Sequence, residues 1–430
     1  MLHKIKKNED FKVKIIKRAI AADLKKAATY FPVVAVLGPR QSGKTTLVQD
    51  IFNKHTYISL EDIDNRTLAN KDPRRFLQDY PNEHGIILDE VQHAPDLLSY
   101  IQTIVDKEKK RGYFIIIGSN PAYAYPGHRA RQASADFGQG PRNQLNETIT
   151  QTLAGRVALL TLLPLSIEEL KNADLLPNKI EEAVFNGGYP RIYSDNIPAD
   201  KLYPNYIDTY IERDVRQIKN ITDLHTFKIF VQLCAGSTGR SLNLTSLGND
   251  CGIDQKTAKA WLSILEATYI VFLLYPYHKH FGKRIVKTPK LYFIDTGIAC
   301  SLLRIKSAQE IQEHYLRGGL VESFMIAELY KQYYNIDQRP ALYFWCDHGG
   351  REIDVIVDQA LKATPVEIKS GKTVGLDYFD QLAYWSATTK STTEKFVFYG
   401  GDTDHSWPEA KVLSWKSIGG FIKKLEKVED

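Results

Sequence analysis

Residues 38–46 read GPRQSGKTT, and they follow five consecutive apolar residues at positions 33–37. The run fits the P-loop pattern, in which four residues separate two glycines and a lysine and a hydroxyl residue come next. Apolar residues before the turn and helix-compatible residues after it predict a strand, a glycine turn and a helix. Backbone N–H groups at such a helix N-terminus cradle phosphate oxygens. The stretch therefore predicts an α/β nucleotide-binding domain.

The residue types in this motif predict separate roles. Lys44 supplies a cation at the β- and γ-phosphates, and the Thr45 hydroxyl is suited to ligating Mg²⁺. The predicted cofactors are therefore ATP and Mg²⁺. The full predicted cofactor-binding set is the loop with the first helical residues: Gly38, Pro39, Arg40, Gln41, Ser42, Gly43, Lys44, Thr45 and Thr46.

Two further apolar runs end in polar residues. The run at positions 86–88 ends in Asp89 and Glu90. An aspartate at this strand end holds Mg²⁺, and the adjacent glutamate is placed to act as the general base on water. The run at 113–117 leads to Ser119 and Asn120, where a polar side chain can sense the γ-phosphate. We favour Asn120 over Ser119 for this role, and a simple turn is an equal alternative.

Length, charge and cysteine content set broad limits on the class of protein. The chain has 430 residues, with 56 basic and 51 acidic side chains and a net charge of +5, which does not by itself indicate nucleic acid. Its four cysteines are far apart, so neither a zinc site nor a disulfide framework is predicted. A Lys-rich N-terminus without an apolar core, and no apolar stretch of spanning length, predict a cytoplasmic protein without a membrane partner.

The pattern of apolar residues predicts four domains along the chain. We expect a nucleotide-binding core over residues 1–165, which starts with a helix up to about residue 30, and a helical lid over 166–220. A winged-helix domain over 221–305 and an end domain over 306–430 follow. Residues 120–142 are rich in Gly, Pro, Ala and Arg without periodicity, which predicts a long loop that is either solvated or in contact with nucleic acid.

Two arginines are candidates for an arginine finger, which reaches the γ-phosphate of a neighbouring subunit. Arg156 lies in the run LAGR, and Arg213 lies in YIERDVR. For each residue the alternative is a structural ion pair within the chain.

Residues 221–305 show three helical stretches and then two strands, a pattern typical of a winged helix. Two lysines lie on the helix that Asp254 is predicted to cap, and more cations lie between the strands. The predicted DNA-contacting residues are Lys256, Lys259, Lys279, Lys283 and Arg284. The alternative is a winged helix that only packs inside the protein.

The C-terminal part carries a second pattern of charged residues. Residues 352–357 and 365–369 read as strands in which Asp354, Glu367 and Lys369 lie opposite the apolar face. If the strands pair, the two carboxylates can hold Mg²⁺, which lowers the pKa of bound water, and Glu322 from a helix can complete the metal shell. This D-x(n)-E-x-K arrangement predicts a nuclease site with Asp354, Glu367 and Lys369 as catalytic residues. The alternatives are a chance cluster and a fold relative without cleavage activity.

Taken together, these motifs resemble a widespread prokaryotic family of AAA-superfamily ATP-binding proteins whose C-terminal domain is of unknown function. The resemblance implies an α/β fold: an AAA-type P-loop parallel sheet with a helical lid, a winged helix, and a restriction-endonuclease-like end domain of the PD-(D/E)xK type. It also implies self-association into a ring, commonly a hexamer. The matching runs are GPRQSGKTTL at 38–47, IILDE at 86–90, LAGRV at 153–157, GGYP at 187–190, ERD at 212–214, KLYFIDTG at 290–297, EIDVIV at 352–357 and VEIKSG at 366–371.

Two functions fit these expectations. The first is an ATP-driven enzyme that binds or remodels DNA, by translocation, unwinding or branch migration. The second is a nucleotide-switched regulatory or defence sensor whose end domain is a non-catalytic effector. A third, a protein-remodelling ATPase, would be supported by an aromatic–glycine pore loop, and the sequence has no clear instance of one.

Overall fold

The computed structural model describes residues 15–80, 82–119, 144–211, 215, 221, 223–277 and 288–427. Several sequence predictions lie outside these residues and are not tested by the fold. They are the roles of the 120–142 segment, Asn120, Arg213, Lys279, Lys283 and Arg284.

The N-terminal part forms a parallel five-stranded sheet in the order β2-β3-β4-β1-β5, which confirms the predicted P-loop sheet. Alternate residues of β1 enter two different hydrophobic clusters, so helices cover both faces of the sheet. The carboxyl ends of β1, β3 and β4 therefore lie at one edge. The strands are β1 (Val33–Gly38), β2 (Thr56–Ser59), β3 (Ile86–Asp89), β4 (Phe114–Ser119) and β5 (Val157–Thr161). The helices are α1 (Ala21–Tyr30), α2 (Lys44–Ile51), α3 (Ile63–Lys71), α4 (Pro73–Gln78), α5 (Leu97–Glu108) and α6 (Gln144–Thr152).

The first helix is shorter than the sequence predicts. Among the described residues, α1 begins at Ala21, and residues 15–18 are not helical. The Ala19 N–H donates to Glu169 Oε1 at 2.8 Å, so it is not available to the carbonyl that a continuous helix would offer. Ile16 and Ile20 are still buried, because the non-helical segment packs against the core.

Short helices dominate the middle of the chain. Asp254 caps α13 as predicted, because its carboxylate accepts the Thr257 N–H at 2.7 Å. The helices up to this point are α7 (Ile167–Asn172), α8 (Ile180–Asn186), α9 (Pro190–Ser194), α10 (Ala199–Tyr210), α11 (Leu224–Gly236), α12 (Leu244–Cys251) and α13 (Gln255–Ala267). Strand β6 (Arg240–Ser241) lies between α11 and α12. After α13 come β7 (Val271–Pro276), β8 (Lys290–Phe293) and α14 (Thr296–Leu302).

A second, nine-stranded sheet continues from these strands into the C-terminal part, in the order β13-β14-β12-β11-β10-β9-β7-β8-β6. Strand β7 pairs in parallel with β9 at Tyr275 and Tyr343, so the sheet extends across residue 305, the predicted boundary. Its C-terminal strands are β9 (Leu342–Cys346), β10 (Glu352–Asp358), β11 (Ala363–Lys369), β12 (Phe396–Tyr399), β13 (His405–Ser406) and β14 (Lys411–Ser414). The helices are α15 (Ala308–Glu313), α16 (Arg317–Asn335), α17 (Asp380–Thr389) and α18 (Phe421–Lys427).

Strand β10 differs from the predicted alternation at one residue. Strict alternation along residues 352–357 predicts that Ile353, Val355 and Val357 form the apolar face opposite Asp354. In the structure Val355 and Val357 belong to one hydrophobic cluster, and Ile353 joins Ile356 in the opposite one. The cause is a shift in the register of β10 against β9 between Ile353 and Ile356.

Within the residues that the structure describes, no helix is both long and apolar enough to cross a membrane.

Candidate nucleotide site and carboxylate cluster

The phosphate-binding loop joins β1 to α2, and two glycines permit its path. Gly38 has a φ of +150°, and a side chain there would collide with the Leu162 backbone. Gly43 has a φ of +92° and caps α2 in the left-handed region, which favours glycine. The N–H groups of the first turn of α2 follow directly. The loop therefore has the backbone conformation that a phosphate cradle needs.

Lys44 is the first residue of α2 and turns back over the loop. Its Nζ donates to the carbonyl oxygens of Gly38 at 3.1 Å and Pro39 at 2.8 Å, and the residue is only 5% exposed. These contacts hold the ammonium group against the loop, and its contact with phosphate stays a prediction.

Asp89 lies at the end of β3, within reach of α2. Its Oδ2 accepts from the Thr45 hydroxyl at 2.7 Å and from the Tyr57 hydroxyl at 2.8 Å. Burial raises the pKa of Asp89, and these two hydrogen bonds pull it down again. The hydroxyl oxygen of Thr45 and the carboxylate of Asp89 are ligands that Mg²⁺ prefers, so the pair fits the predicted ion. Sequence reasoning missed Tyr57, because β2 carries no motif.

Glu90 is held by polar neighbours on both carboxylate oxygens. The Ser119 hydroxyl donates to Oε1 at 2.9 Å, and the Gln92 side-chain amide donates to Oε2. Arg40 Nη1 lies 4.0 Å from Oε1. The residue itself has a φ of +56°, a strained conformation for a residue with a side chain. The structure thus brings Ser119, the less favoured sensor candidate, into contact with the predicted base.

Arg156 lies at the other edge of the parallel sheet. Its carbonyl accepts the N–H of Val33, the first residue of β1. The phosphate-binding loop begins at the opposite end of this strand, after its last residue. Its guanidinium contacts Asp106 through two nitrogens, one of them Nη2 to Oδ2 at 3.0 Å. The ion-pair alternative is thus formed within one chain, and the finger role stays a prediction.

The GGYP and KLYFIDTG runs contact each other through buried hydrogen bonds. Asp295 Oδ2 accepts the Gly188 N–H at 2.7 Å, and the Gly188 carbonyl accepts the Leu165 N–H at 2.7 Å. Burial raises the pKa of Asp295. This carboxylate fixes the turn between α8 and α9 against α14, a structural role that the sequence did not predict.

Of the predicted DNA-contacting residues, the structure describes two. Lys256 and Lys259 are exposed on the first turns of α13, opposite the buried Ala258, Trp261 and Leu262. Helix α12 precedes α13 and packs against it.

The carboxylate cluster comprises Glu322, Glu352, Asp354 and Glu367 with Lys290 and Lys369. Lys369 Nζ lies 2.7 Å from Glu367 Oε1, and Lys290 Nζ lies 2.8 Å from Glu352 Oε2 and 3.9 Å from Glu322 Oε1. Asp354 Oδ2 accepts the Ile368 N–H at 2.7 Å. The structure therefore brings the predicted Glu322, Asp354, Glu367 and Lys369 together.

The sequence did not single out Lys290, Glu352 or Tyr292, whose hydroxyl donates to Glu322. A signal was available, since Lys290 and Tyr292 belong to the KLYFIDTG run and Glu352 opens EIDVIV.

Charges in this cluster depend on one another. Burial, with the nearby charge of Asp354, raises the pKa of Glu322 and of Glu367 to about 8 each. Burial also raises the pKa of Asp354, against the pull of Lys290. Burial alone would lower the pKa of Lys290, but the surrounding carboxylates raise it.

The cluster fits a bound cation only in part. In its favour, Glu367 Oε2 is buried without a hydrogen-bond partner. Within the described ranges, however, no group of three or more His, Cys, Asp or Glu side chains is arranged to hold a metal ion. The lysines lie among the carboxylates, so in this structure the cluster is ion-paired. Metal binding by Glu322, Asp354 and Glu367 stays a prediction.

Comparisons with known families divide the chain into three regions. Residues 30–133 match an AAA domain, and residues 177–309 and 317–418 each match a domain of unknown function, DUF8612 and DUF4143. The AAA match covers the phosphate-binding loop, Asp89, Glu90 and Ser119. It supports ATP binding and ATPase activity at this site.

Individual relatives are similar over most of the chain. The uncharacterized protein Rv2008c of Mycobacterium tuberculosis is 28% identical over 365 residues, which cover 84% of this chain and 75% of the relative. The uncharacterized protein MJ1637 of Methanocaldococcus jannaschii is 22% identical, with 79% and 76% covered. Among solved structures, the Walker-type ATPase PABY2304 of Pyrococcus abyssi is 15% identical with a TM-score of 0.41, and the match covers 68% of this chain and 96% of that one. Over residues 30–133, which include the P-loop and strands of the parallel sheet, the chain is similar to AAA domains.

Proposed function

We propose that this protein is an AAA-type ATPase that hydrolyses ATP with Mg²⁺ and couples turnover to DNA binding or remodelling. The observation that carries the ATPase part is the meeting of Thr45, Asp89 and Glu90 beside the phosphate-binding loop. A hydroxyl from α2, and a carboxylate and a candidate base from the end of β3, lie at one edge of the sheet.

Each residue of this site has a chemical role in the proposal. Lys44 and the N–H groups of α2 bind the phosphates, and Thr45 and Asp89 would hold the metal. Mg²⁺, when bound, supplies positive charge against the phosphate oxygens. Glu90 orients and deprotonates water, but both its oxygens accept hydrogen bonds from Ser119 and Gln92. Each carboxylate oxygen has a second lone pair, so Glu90 can accept from water while Ser119 and Gln92 hold its orientation.

DNA contact is proposed through α13 and the basic segment that follows it. Lys256 and Lys259 are exposed on a helix whose opposite face is buried. The sequence between β7 and β8 adds Lys279, Lys283 and Arg284. In a winged helix these positions contact the phosphate backbone.

Salt-dependent binding of the full chain to duplex DNA tests this part. We expect affinity to fall linearly with salt on logarithmic axes, and a Lys256→Gln/Lys259→Gln variant to lower the slope by about 2. The matched control is Lys423→Gln/Lys424→Gln, which removes two exposed lysines from α18. Equal effects of the two variants, or binding without salt dependence, would contradict DNA contact through α13.

We propose a restriction-endonuclease-like fold for the C-terminal part, with two candidate activities. If it cleaves nucleic acid, Asp354→Asn and Lys369→Ala should each remove cleavage and spare ATP turnover. The surface variant Asp402→Asn should leave both unchanged. The ion pairing of Lys369 with Glu367 favours the second candidate, in which the end domain is a non-catalytic effector of a nucleotide-switched sensor. Strand cleavage that survives both variants would show that this cluster is not a nuclease site.

We also propose a ring in which a neighbour's Arg156 or Arg213 completes each ATP site. For Arg156 this requires that its guanidinium leaves Asp106 and contacts a phosphate group instead. Mixing Lys44→Ala with Arg156→Ala protein tests the idea, because the first has an intact arginine and the second an intact loop. Restored ATP turnover in the mixture would support an arginine finger that acts on a neighbouring subunit. A mixture without turnover would exclude this role for Arg156.

A further inference from the structure

Arg18 lies outside every motif in the sequence, yet it contacts three distant segments. It is only 8% exposed. Its Nη1 donates to the Ser42 carbonyl at 2.7 Å, Nη2 to the Leu163 carbonyl at 2.6 Å, and Nε to Glu169 Oε1 at 2.9 Å. The planar guanidinium donates from three separate nitrogens to these acceptors, a geometry that the single ammonium nitrogen of a lysine does not reproduce.

The contact to Ser42 bears on phosphate binding. A trans peptide unit is planar, so the Ser42 carbonyl and the Gly43 N–H point in opposite directions. Holding the carbonyl on Arg18 fixes the direction of the Gly43 N–H, which belongs to the phosphate cradle. Arg18 acts on the nucleotide only through this peptide unit.

From Arg18 the buried contacts continue toward helix α16. Glu169 Oε2 accepts from the Ser166 N–H at 2.9 Å and from the Ser166 hydroxyl at 3.2 Å. Asn335 Nδ2 donates to that hydroxyl oxygen at 3.2 Å. The path thus reaches the last turn of α16.

A second buried contact joins the same two segments. Lys331 Nζ donates to the Leu165 carbonyl at 3.1 Å and to Glu328 Oε1 at 2.8 Å, and Glu328 Oε2 accepts the Ile167 N–H at 2.6 Å. Glu328 and Lys331 have side chains only 1% and 4% exposed. Both residues belong to α16, and their hydrogen bonds to the backbone of Leu165 and Ile167 hold the two segments together. The same helix carries Glu322, which lies about 9 Å along its axis from Glu328.

We propose that Arg18 is a positioning residue for the phosphate-binding loop, and that it couples nucleotide binding through Glu169 and Ser166 to helix α16 of the C-terminal region. The proposal rests on the ATP site proposed above. Nucleotide binding selects one orientation of the Ser42–Gly43 peptide, and Arg18 transmits that orientation to the buried contacts on α16.

Affinity for a fluorescent ATP analogue tests the first half, with Arg18→Met, Arg18→Lys and the surface control Arg75→Met. We expect about tenfold weaker binding for Arg18→Met, an intermediate loss for Arg18→Lys, and none for Arg75→Met, because charged buried hydrogen bonds contribute at this level. A purely structural role would lower the melting temperature of the nucleotide-free variants without changing the dissociation constant of the folded protein. Wild-type affinity in folded Arg18→Met would overturn the proposal.

Two additions keep this test decisive. If Arg18→Met does not fold, Glu169→Gln replaces it, since it keeps the shape and weakens the hold on Arg18; it should bind about threefold more weakly, and unchanged binding would overturn the proposal. Lys44→Ala is measured in parallel. Normal binding by Lys44→Ala would mean that the ATP site itself is wrong, whereas normal binding by the Arg18 and Glu169 variants alone would refute only the positioning role.

Amide hydrogen exchange of the full chain tests the second half. A saturating ATP analogue should slow exchange in residues 163–170 and in α16 of the wild type. The slowing in α16 should disappear in Arg18→Lys at saturation. An unchanged α16 in the wild type, or equal slowing in both proteins, would overturn the coupling.

Discussion

The nucleotide site and the carboxylate cluster are both rich in charge, but they are built in different ways. At the nucleotide site, Lys44 donates to backbone carbonyls and Asp89 accepts from the neutral hydroxyls of Thr45 and Tyr57. In the carboxylate cluster, Lys290 and Lys369 pair directly with carboxylates. The partners of Lys44 and Asp89 at the first site are neutral, whereas the second site offsets much of its charge internally. Similar residue types therefore occur in two different settings, and only the first has a phosphate-binding loop beside them.

The largest expected effect separates the two sites by nucleotide affinity. Lys44→Ala removes the cation at the loop and should weaken ATP binding by about 100-fold or more, the scale of a buried charge-assisted contact. Lys369→Ala should not change ATP affinity. Isothermal titration measures both, with the exposed Lys54→Ala as the matched control. A large loss of ATP affinity in Lys369→Ala would contradict the claim that only the first site binds nucleotide.

The carboxylate cluster should reveal its internal charge balance in the pH dependence of stability. The pKa of Glu367 is raised to about 8 in the folded protein, from an ordinary value of 4.5. Between these values the folded chain holds a proton that the unfolded chain has released, so stability falls as pH rises through this window. Glu367→Gln should therefore be more stable than the wild type at pH 8, by about 1 kcal/mol or more, and nearly equal at pH 4.

Thermal or urea unfolding at the two pH values measures this difference. The control Glu409→Gln changes an exposed glutamate in the same region. Its effect on the free energy of unfolding should be the same at pH 8 and at pH 4. If Glu367→Gln is less stable than the wild type at pH 8, the ionised carboxylate stabilises the fold and the burial argument is wrong.

A smaller effect is expected at Asp89. Tyr57→Phe removes one of its two hydroxyl donors, and both donors lower the pKa of Asp89. The pKa of this carboxyl should rise further, and the acidic limb of the turnover profile should move to higher pH. At neutral pH turnover should fall by only about threefold. Tyr100→Phe, an exposed tyrosine on α5, is the control, and an unmoved profile in Tyr57→Phe would show that this hydroxyl does not tune Asp89.

The phosphate-binding loop and the strand-end residues Asp89 and Glu90 were predictable, because their chemistry depends on residues close together in sequence. The carboxylate cluster was predictable only in part. Alternation identified Asp354, Glu367 and Lys369, but Lys290 comes from a strand that the sequence assigned to another domain. The predicted face of Ile353 was also wrong, because a shift in register between two strands cannot be read from the pattern of apolar residues.

Arg18 illustrates what sequence patterns cannot show. Its partners Ser42, Leu163 and Glu169 lie 24, 145 and 151 positions away. An isolated arginine in a basic N-terminal stretch has no distinguishing neighbours. Only the tertiary fold shows that it is buried against the phosphate-binding loop.

The most direct test of the ATPase proposal compares ATP binding and single-turnover hydrolysis in the wild type and Glu90→Gln. The glutamine keeps the size and hydrogen-bonding shape of the side chain but cannot take a proton from water. We predict unchanged ATP affinity and a loss of hydrolysis of about 100-fold or more. Hydrolysis at the wild-type rate would contradict Glu90 as the base and, with it, the proposed catalytic arrangement of this site.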